Sequence, residues 1–180
     1  MKSNGRRSPR EIIESVSQPE LEEAWIKEPL KDMRSLSISR EENSATYTFP
    51  IFPRHIKRKL TRIHTHPSKH KRYRDASNKD YETFLLENIK SDVIAQTDPE
   101  TGELIGYSLY RKMKSFSLGK IPSRSVLVNV PLDLWYQPIV SRVLSTMGIN
   151  SDRYSEKIFS KYGLQYRYVP NKHYSGGNEA

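Results

Sequence analysis

The side chains best suited to chemistry lie in residues 63–80, IHTHPSKHKRYRDASNKD. His64 and His66 are separated by one residue, and Asp75, Ser77 and Asp80 follow. On an extended strand, residues two apart point to the same face, so the two imidazoles, about 7 Å apart along the backbone, can reach one point. Two histidines and a carboxylate, with one position left for water, form a catalytic zinc set. Asp80 supplies the carboxylate if a helix beginning at Ser77 sets its first turn beside the end of the strand. One Zn²⁺ per chain would then make water a nucleophile near neutral pH. Asp75 is the rival third ligand, without the helix-start context. Ser77-x-x-Asp80 is also an ordinary helix-capping signature, and both readings hold together because a cap leaves Asp80 in the first turn. The plain alternative is a pair of solvated strand histidines. The chain has no cysteine, so thiolate zinc sites and disulfides are excluded, and a metal must be held by His, Asp, Glu or water.

The elements around this stretch can be read from period and punctuation. Ser8, Pro9 and Glu11, then Ser17, Pro19 and Glu20, are helix-start signals, which predict helix to about Glu28, ahead of Pro29. In that helix Leu21, Trp25 and Glu28 would share a face. Leu36 and Ile38 alternate with serines as a strand; a turn at REENS leads to a second strand with Tyr47 and Phe49 on one side, paired antiparallel. LTRIHTH is a third strand, ended by Pro67. A helix from Ser77 buries Tyr81, Phe84, Leu85 and Ile89. DVIAQTD and LIGYSLYRK flank PETG as a hairpin. SVLVNVP is another strand. Residues 132–149 form a helix broken near Pro138 and ended at Gly148, a last helix is capped by Ser151 and stopped at Gly163, and LQYRYVP closes as a strand packed through Tyr166 and Tyr168.

The fold class is α/β, a mixed, largely antiparallel sheet flanked by helices. Residues 1–7 read as a disordered basic start, 8–130 as the domain bearing the site, 131–174 as a helical extension packed on it, and 175–180 as a disordered tail. No apolar run approaches the roughly 20 residues that span a bilayer, so no membrane partner and a cytoplasmic location are expected. The net charge of +9 and pI near 9.6 favour an acidic protein or nucleic acid as a partner, through the basic runs PRHIKRK and KHKRYR; a solvated loop surface is the alternative.

His-Thr-His-Pro at 64–67 followed by Ser77-x-x-Asp80 resembles the JAMM (MPN+) zinc metalloproteases, which cleave isopeptide bonds to ubiquitin-like modifiers. The resemblance covers roughly residues 10–130 and implies a cytidine-deaminase-like layering of helices on a sheet. It also implies His64, His66 and Asp80 as zinc ligands, Ser77 as the hydroxyl that steadies the carbonyl oxygen, and an upstream glutamate that activates the water. The gap between His66 and Ser77 is longer than the family's. The family sets its glutamate at the entry to the first strand, where this chain has Met33. Glu28, at the end of the expected helix and with the longer reach, is the choice for the base; Asp32 stands closer to the family's register, and Glu22 and Glu23 lie further back. The expected function is a zinc-dependent hydrolase acting on a peptide or isopeptide bond of a protein or ubiquitin-like conjugate. An inactive scaffold of the same shape and a nucleic-acid-associated protein are the alternatives.

Overall fold

A strand that carries charged side chains can be buried only if each is answered by a neighbour, and β5 (Thr61–Pro67) is such a strand. Residues 62–66 are all buried, Arg62, His64 and His66 among them. The computed structural model describes residues 21–28, 33–35, 37–41, 44–47, 60–69, 75–86, 89–114, 116 and 132–175. On one side β5 pairs antiparallel with β1 (Ala24–Lys27), which pairs antiparallel with β2 (Met33–Ser35). On the other side it pairs in parallel with β6 (Ser91–Thr97). Two antiparallel strands, β7 (Leu104–Lys112) and β8 (Leu164–Pro170), complete a six-stranded sheet of order β2-β1-β5-β6-β7-β8. A separate ribbon pairs β3 (Ser37–Glu41) with β4 (Ser44–Tyr47). The class is α/β with a mixed, largely antiparallel sheet.

The parallel β5/β6 pair requires a crossover, and α1 (Asn78–Leu86) supplies it. Its last carbonyls are answered by Lys112, whose Nζ donates to Phe84 O at 2.7 Å and Leu85 O at 3.2 Å. α2 (Leu132–Thr146) and α3 (Ser151–Lys161) follow. Tyr81, Phe84 and Leu85 of α1 join Leu134, Phe159, Leu164 and Tyr166 in one core with Ala24, Ile26, Ile94 and Tyr110 of the sheet. The rings of Tyr81, Tyr110, Phe159 and Tyr166 stand 5.2 to 5.6 Å apart in this core. The opposite face gathers Trp25, Ile63, Ala95 and Leu104.

Several expectations are corrected. Residues 24–27 are a strand and not the end of a helix, because Ala24, Trp25 and Ile26 are all buried between β2 and β5. Tertiary pairing there overrides the local capping signals. The strand expected around Leu36 and Ile38 is two: β2 extends the main sheet and β3 leaves it for the ribbon. α2 runs through Pro138 unbroken. The cap of α3 is Asn150, whose side chain accepts from Asp152 N at 3.0 Å, and not Ser151. Gly163, at φ 73°, ends α3 and turns the chain into β8. The hairpin at residues 91–112 and the closing strand form as expected. The strand expected at SVLVNVP, the helix start at residues 8–20, Asp32 and, apart from Lys69, both basic runs lie outside the described residues.

The chain entering α1 is held by Asp75. Its Oδ1 accepts from Ser108 Oγ (3.1 Å), Tyr110 OH (3.3 Å) and Tyr166 OH (2.6 Å), and its Oδ2 accepts from Ser141 Oγ (3.1 Å). Next to it, Ala76 N donates to Tyr110 OH at 3.0 Å. One buried carboxylate thus ties the start of α1 to β7, β8 and α2. Replacing Asp75 by Ala should lower stability by about 2–5 kcal/mol, since buried donors lose their acceptor together. Tyr166→Phe should cost about 1 kcal/mol. Urea unfolding checks both, and an Asp75→Ala midpoint equal to that of the wild type would show that this network is not what fixes the segment.

Candidate metal centre

Alternation along β5 puts Arg62, His64 and His66 on one face. That face meets α1, since Arg62 Nη2 donates to the carbonyl of Asp80 at 3.1 Å. Ser77 begins the helix: its Oγ accepts from Asp80 N at 3.3 Å. In return Asp80 Oδ2 accepts from Ser77 N at 2.9 Å and Ser77 Oγ at 2.6 Å. This reciprocal cap fixes the Asp80 carboxylate in the first turn, above the end of β5.

Asp80 Oδ1 then lies 3.1 Å from His64 Nε2, and Oδ2 lies 3.6 Å from His66 Nε2. The three residues each offer a ligand atom, all within 4.8 Å of one another. Around a tetrahedral ion with bonds of about 2.0–2.1 Å, ligand atoms stand roughly 3.3 Å apart. The two carboxylate–imidazole separations therefore suit one ion. Both ring nitrogens of His64 are buried without an aligned hydrogen bond, with Asp80 Oδ1 3.1 Å from Nε2 and Asp92 Oδ1 3.7 Å from Nδ1. The Asp80 side chain keeps 17% of its surface exposed against 6% for His64, so the group meets solvent mainly through Asp80. His64, His66 and Asp80 could thus hold a metal ion.

The charges are strongly coupled. Burial opposes a charged His64, but the Asp80 carboxylate, helped by Asp92, outweighs it and lifts the imidazole to about 9. Burial would likewise raise Asp80, yet the two imidazoles hold it well below the usual carboxylate range. Glu22 is pushed up, by burial first and by Asp80, against the pull of His66 and His64.

Glu22 is the carboxylate that the expected helix had hidden. β1 is antiparallel to β5 with Ala24 opposite His64, and Thr65 N donates to Glu23 O at 2.9 Å. Continuing that register sets Glu22 level with His66. By alternation it also lies on the face of Ala24, the face that carries the histidines. Glu28, chosen from the sequence as the base, follows Lys27, the partner of Thr61, at the opposite end of β5. Glu23 is buried and alternates to the face of Trp25. Asp75 is turned into its hydroxyl network and is not a member of the cluster. His173 is exposed, while His55 and His70 lie outside the described residues. The signal for Glu22 was present: Trp25 and Ile26 form a short apolar pair with a strand's composition, bracketed by carboxylates. No protein-family model, no curated protein and no solved structure matches this chain.

His64 binds its proton more tightly in the folded chain, at about 9, than at its ordinary 6.5. The stability this lends to the metal-free protein is therefore complete below pH 6.5 and lost as pH rises through 9. A bound cation must displace that proton, so its affinity should rise about tenfold per pH unit in the same window. Urea unfolding in chelator should show a falling midpoint from pH 6.5 to 9, with Zn²⁺ affinity moving the opposite way. A flat metal-free midpoint would mean that His64 and Asp80 do not share charge as described.

Proposed function

We propose that this chain is a zinc-dependent hydrolase of the JAMM type that cleaves a peptide or isopeptide bond, with His64, His66 and Asp80 as ligands and Glu22 as general base. The observation that carries the reading is the register of β1 against β5, which brings a carboxylate with a raised proton affinity to the end of the histidine pair. The order His-Thr-His-Pro, then Ser-x-x-Asp at a helix start, supports the same reading. When bound, the dication would polarise a scissile carbonyl and acidify water.

The chain's own groups complete the reaction. Glu22 takes a proton from the attacking water as the new C–O bond forms. It returns a proton to the amine nitrogen as the C–N bond breaks, so the carboxylate is regenerated. Its raised proton affinity suits both transfers near neutral pH. Ser77 supplies a hydroxyl beside the carboxylate ligand. Because Asp80 Oδ2 is held by the Ser77 amide as well as by the hydroxyl, the hydroxyl can turn to a developing oxyanion while the amide keeps the ligand in place. No helix among the described residues is long and apolar enough to cross a membrane.

The test combines zinc content with turnover on a panel of peptide-linked and isopeptide-linked conjugates. His66→Ala should lose both zinc and turnover. Glu22→Gln should keep zinc and lose about 100-fold or more in kcat, the usual scale for a missing general base. Glu28→Gln should behave as the wild type. A folded wild type that takes up no zinc after reconstitution would end the proposal, and a loss confined to Glu28→Gln would overturn the choice of base.

A further inference from the structure

Two buried charged side chains beside the ligands are not used by the reaction above. Arg62 is 0% and Asp92 1% exposed, and they are register partners across β5 and β6. Arg62 Nε donates to Asp92 Oδ1 at 2.8 Å and Nη2 donates to Oδ2, so the guanidinium grips the carboxylate with two donors. The same Nη2 reaches the carbonyl of Asp80. Asp92 Oδ1 also faces His64 Nδ1 at 3.7 Å, about 0.5 Å beyond hydrogen-bond length, on the side of the ring away from Asp80.

We propose that Arg62 and Asp92 are a positioning pair for the metal centre: Asp92 holds a proton on His64 Nδ1, which leaves Nε2 bare for the ion, and Arg62 fixes the direction of Asp92. This rests on the metal-centre reading above. An imidazole ligates through one nitrogen only when the other carries the hydrogen, and an acceptor on that far side selects both tautomer and ring orientation. Asp92 alone could turn about its own side chain. The planar two-donor grip of Arg62 prevents this, and Lys could not reproduce it. The link from Arg62 to the Asp80 carbonyl sets the carboxylate ligand from the same anchor, so two of the three ligands are referred to one guanidinium. The competing account is an ion pair that merely holds β5 against β6.

The two accounts differ in what the wild type itself shows. In zinc-loaded, ¹⁵N-histidine-labelled protein, the His64 Nδ1 hydrogen should resonate far downfield, as a hydrogen donated to a carboxylate does and one held only by a ligating ring does not. Asp92→Asn should weaken Zn²⁺ binding by about 10–100-fold, measured by competition with a chromogenic chelator. It should also alter the visible absorption of bound Co²⁺ while thermal unfolding stays cooperative. A His64 Nδ1 hydrogen without that downfield shift in the wild type, or wild-type affinity in folded Asp92→Asn, overturns the pair's role and leaves the metal centre standing. A wild type that binds neither Zn²⁺ nor Co²⁺ overturns both. If Asp92→Asn fails to fold, the Nδ1 hydrogen shift measured in the wild type still decides.

Discussion

A guanidinium with none of its surface in water is the constraint around which this chain is arranged. Arg62 cannot shed its proton, so burying it requires acceptors of fixed geometry. Those acceptors are the carboxylate of Asp92, on the neighbouring strand, and the main-chain carbonyl of Asp80, in the first turn of the crossover helix. Satisfying one side chain therefore fixes the β5/β6 register and the position of α1 over the sheet together. Removing one member of such a buried pair typically costs about 3–5 kcal/mol, because the other charge is left unanswered. A slip of one residue along β5 would turn Arg62, and with it His64 and His66, to the opposite face. The histidine pair is thus held where it is by a residue that is not a ligand.

Three aspartates near the site show how surroundings assign the role. Asp75 is met by the hydroxyls of Ser108, Tyr110, Ser141 and Tyr166, which makes it a fastening for the chain ahead of α1. Asp92 is gripped by a guanidinium and faces the back of a ligand. Asp80 faces two imidazoles and keeps part of its side chain in solvent. Only Asp80 combines proximity to both histidines with an approach from outside. The rows of the sheet explain the order: Ile26, Arg62, Asp92, Tyr110 and Tyr166 lie in one row across the strands, and Ala24, His64, Ile94 and Ser108 in the next. The grip therefore shares its level with two tyrosines of the fastening, and His64 stands at the next level with Ser108.

How much of this was legible depends on how local the cause is. β5, the start of α1 and the hairpin at residues 91–112 follow from signals within a few residues: alternation, a capping box, and a turn with Pro and Gly. The grouping of His64, His66 and Asp80 was legible for the same reason. β1 was not, because its decisive contacts are with strands far along the chain, while Ser17, Pro19 and Glu20 supply local helix signals just before it. The mistaken helix also decided which carboxylate was looked for beside the histidines. A helix leading into the site would deliver its last carboxylate, Glu28. A strand antiparallel to β5 presents the residue before its start, Glu22, at the end where His66 lies. Asp92 and Arg62 gave no sequence signal, since their meaning comes from a pairing across 30 positions.

The same electrostatics bear on how a group that could hold a cation balances its charges. Asp80 and Glu22 together would repel each other beside two neutral imidazoles. A proton on His64 supplies positive charge at the edge of the position an ion would take, 3.1 Å from the carboxylate that would bind it. Under the proposed metal-centre reading, that proton would hold the three side chains together, within 4.8 Å of one another, until an ion replaced it. The consequence is competition: an arriving dication must expel the proton that had organised the site, and the nitrogen it exposes is Nε2, the one turned toward Asp80. The acceptor at Nδ1 acquires a second meaning here. As Nε2 gives up its proton, the ring becomes neutral and could hold its remaining hydrogen on either nitrogen; a fixed carboxylate behind the ring removes that choice. On the proposed reading, the buried Arg62–Asp92 pair would in this way take part in exchanging a proton for a metal.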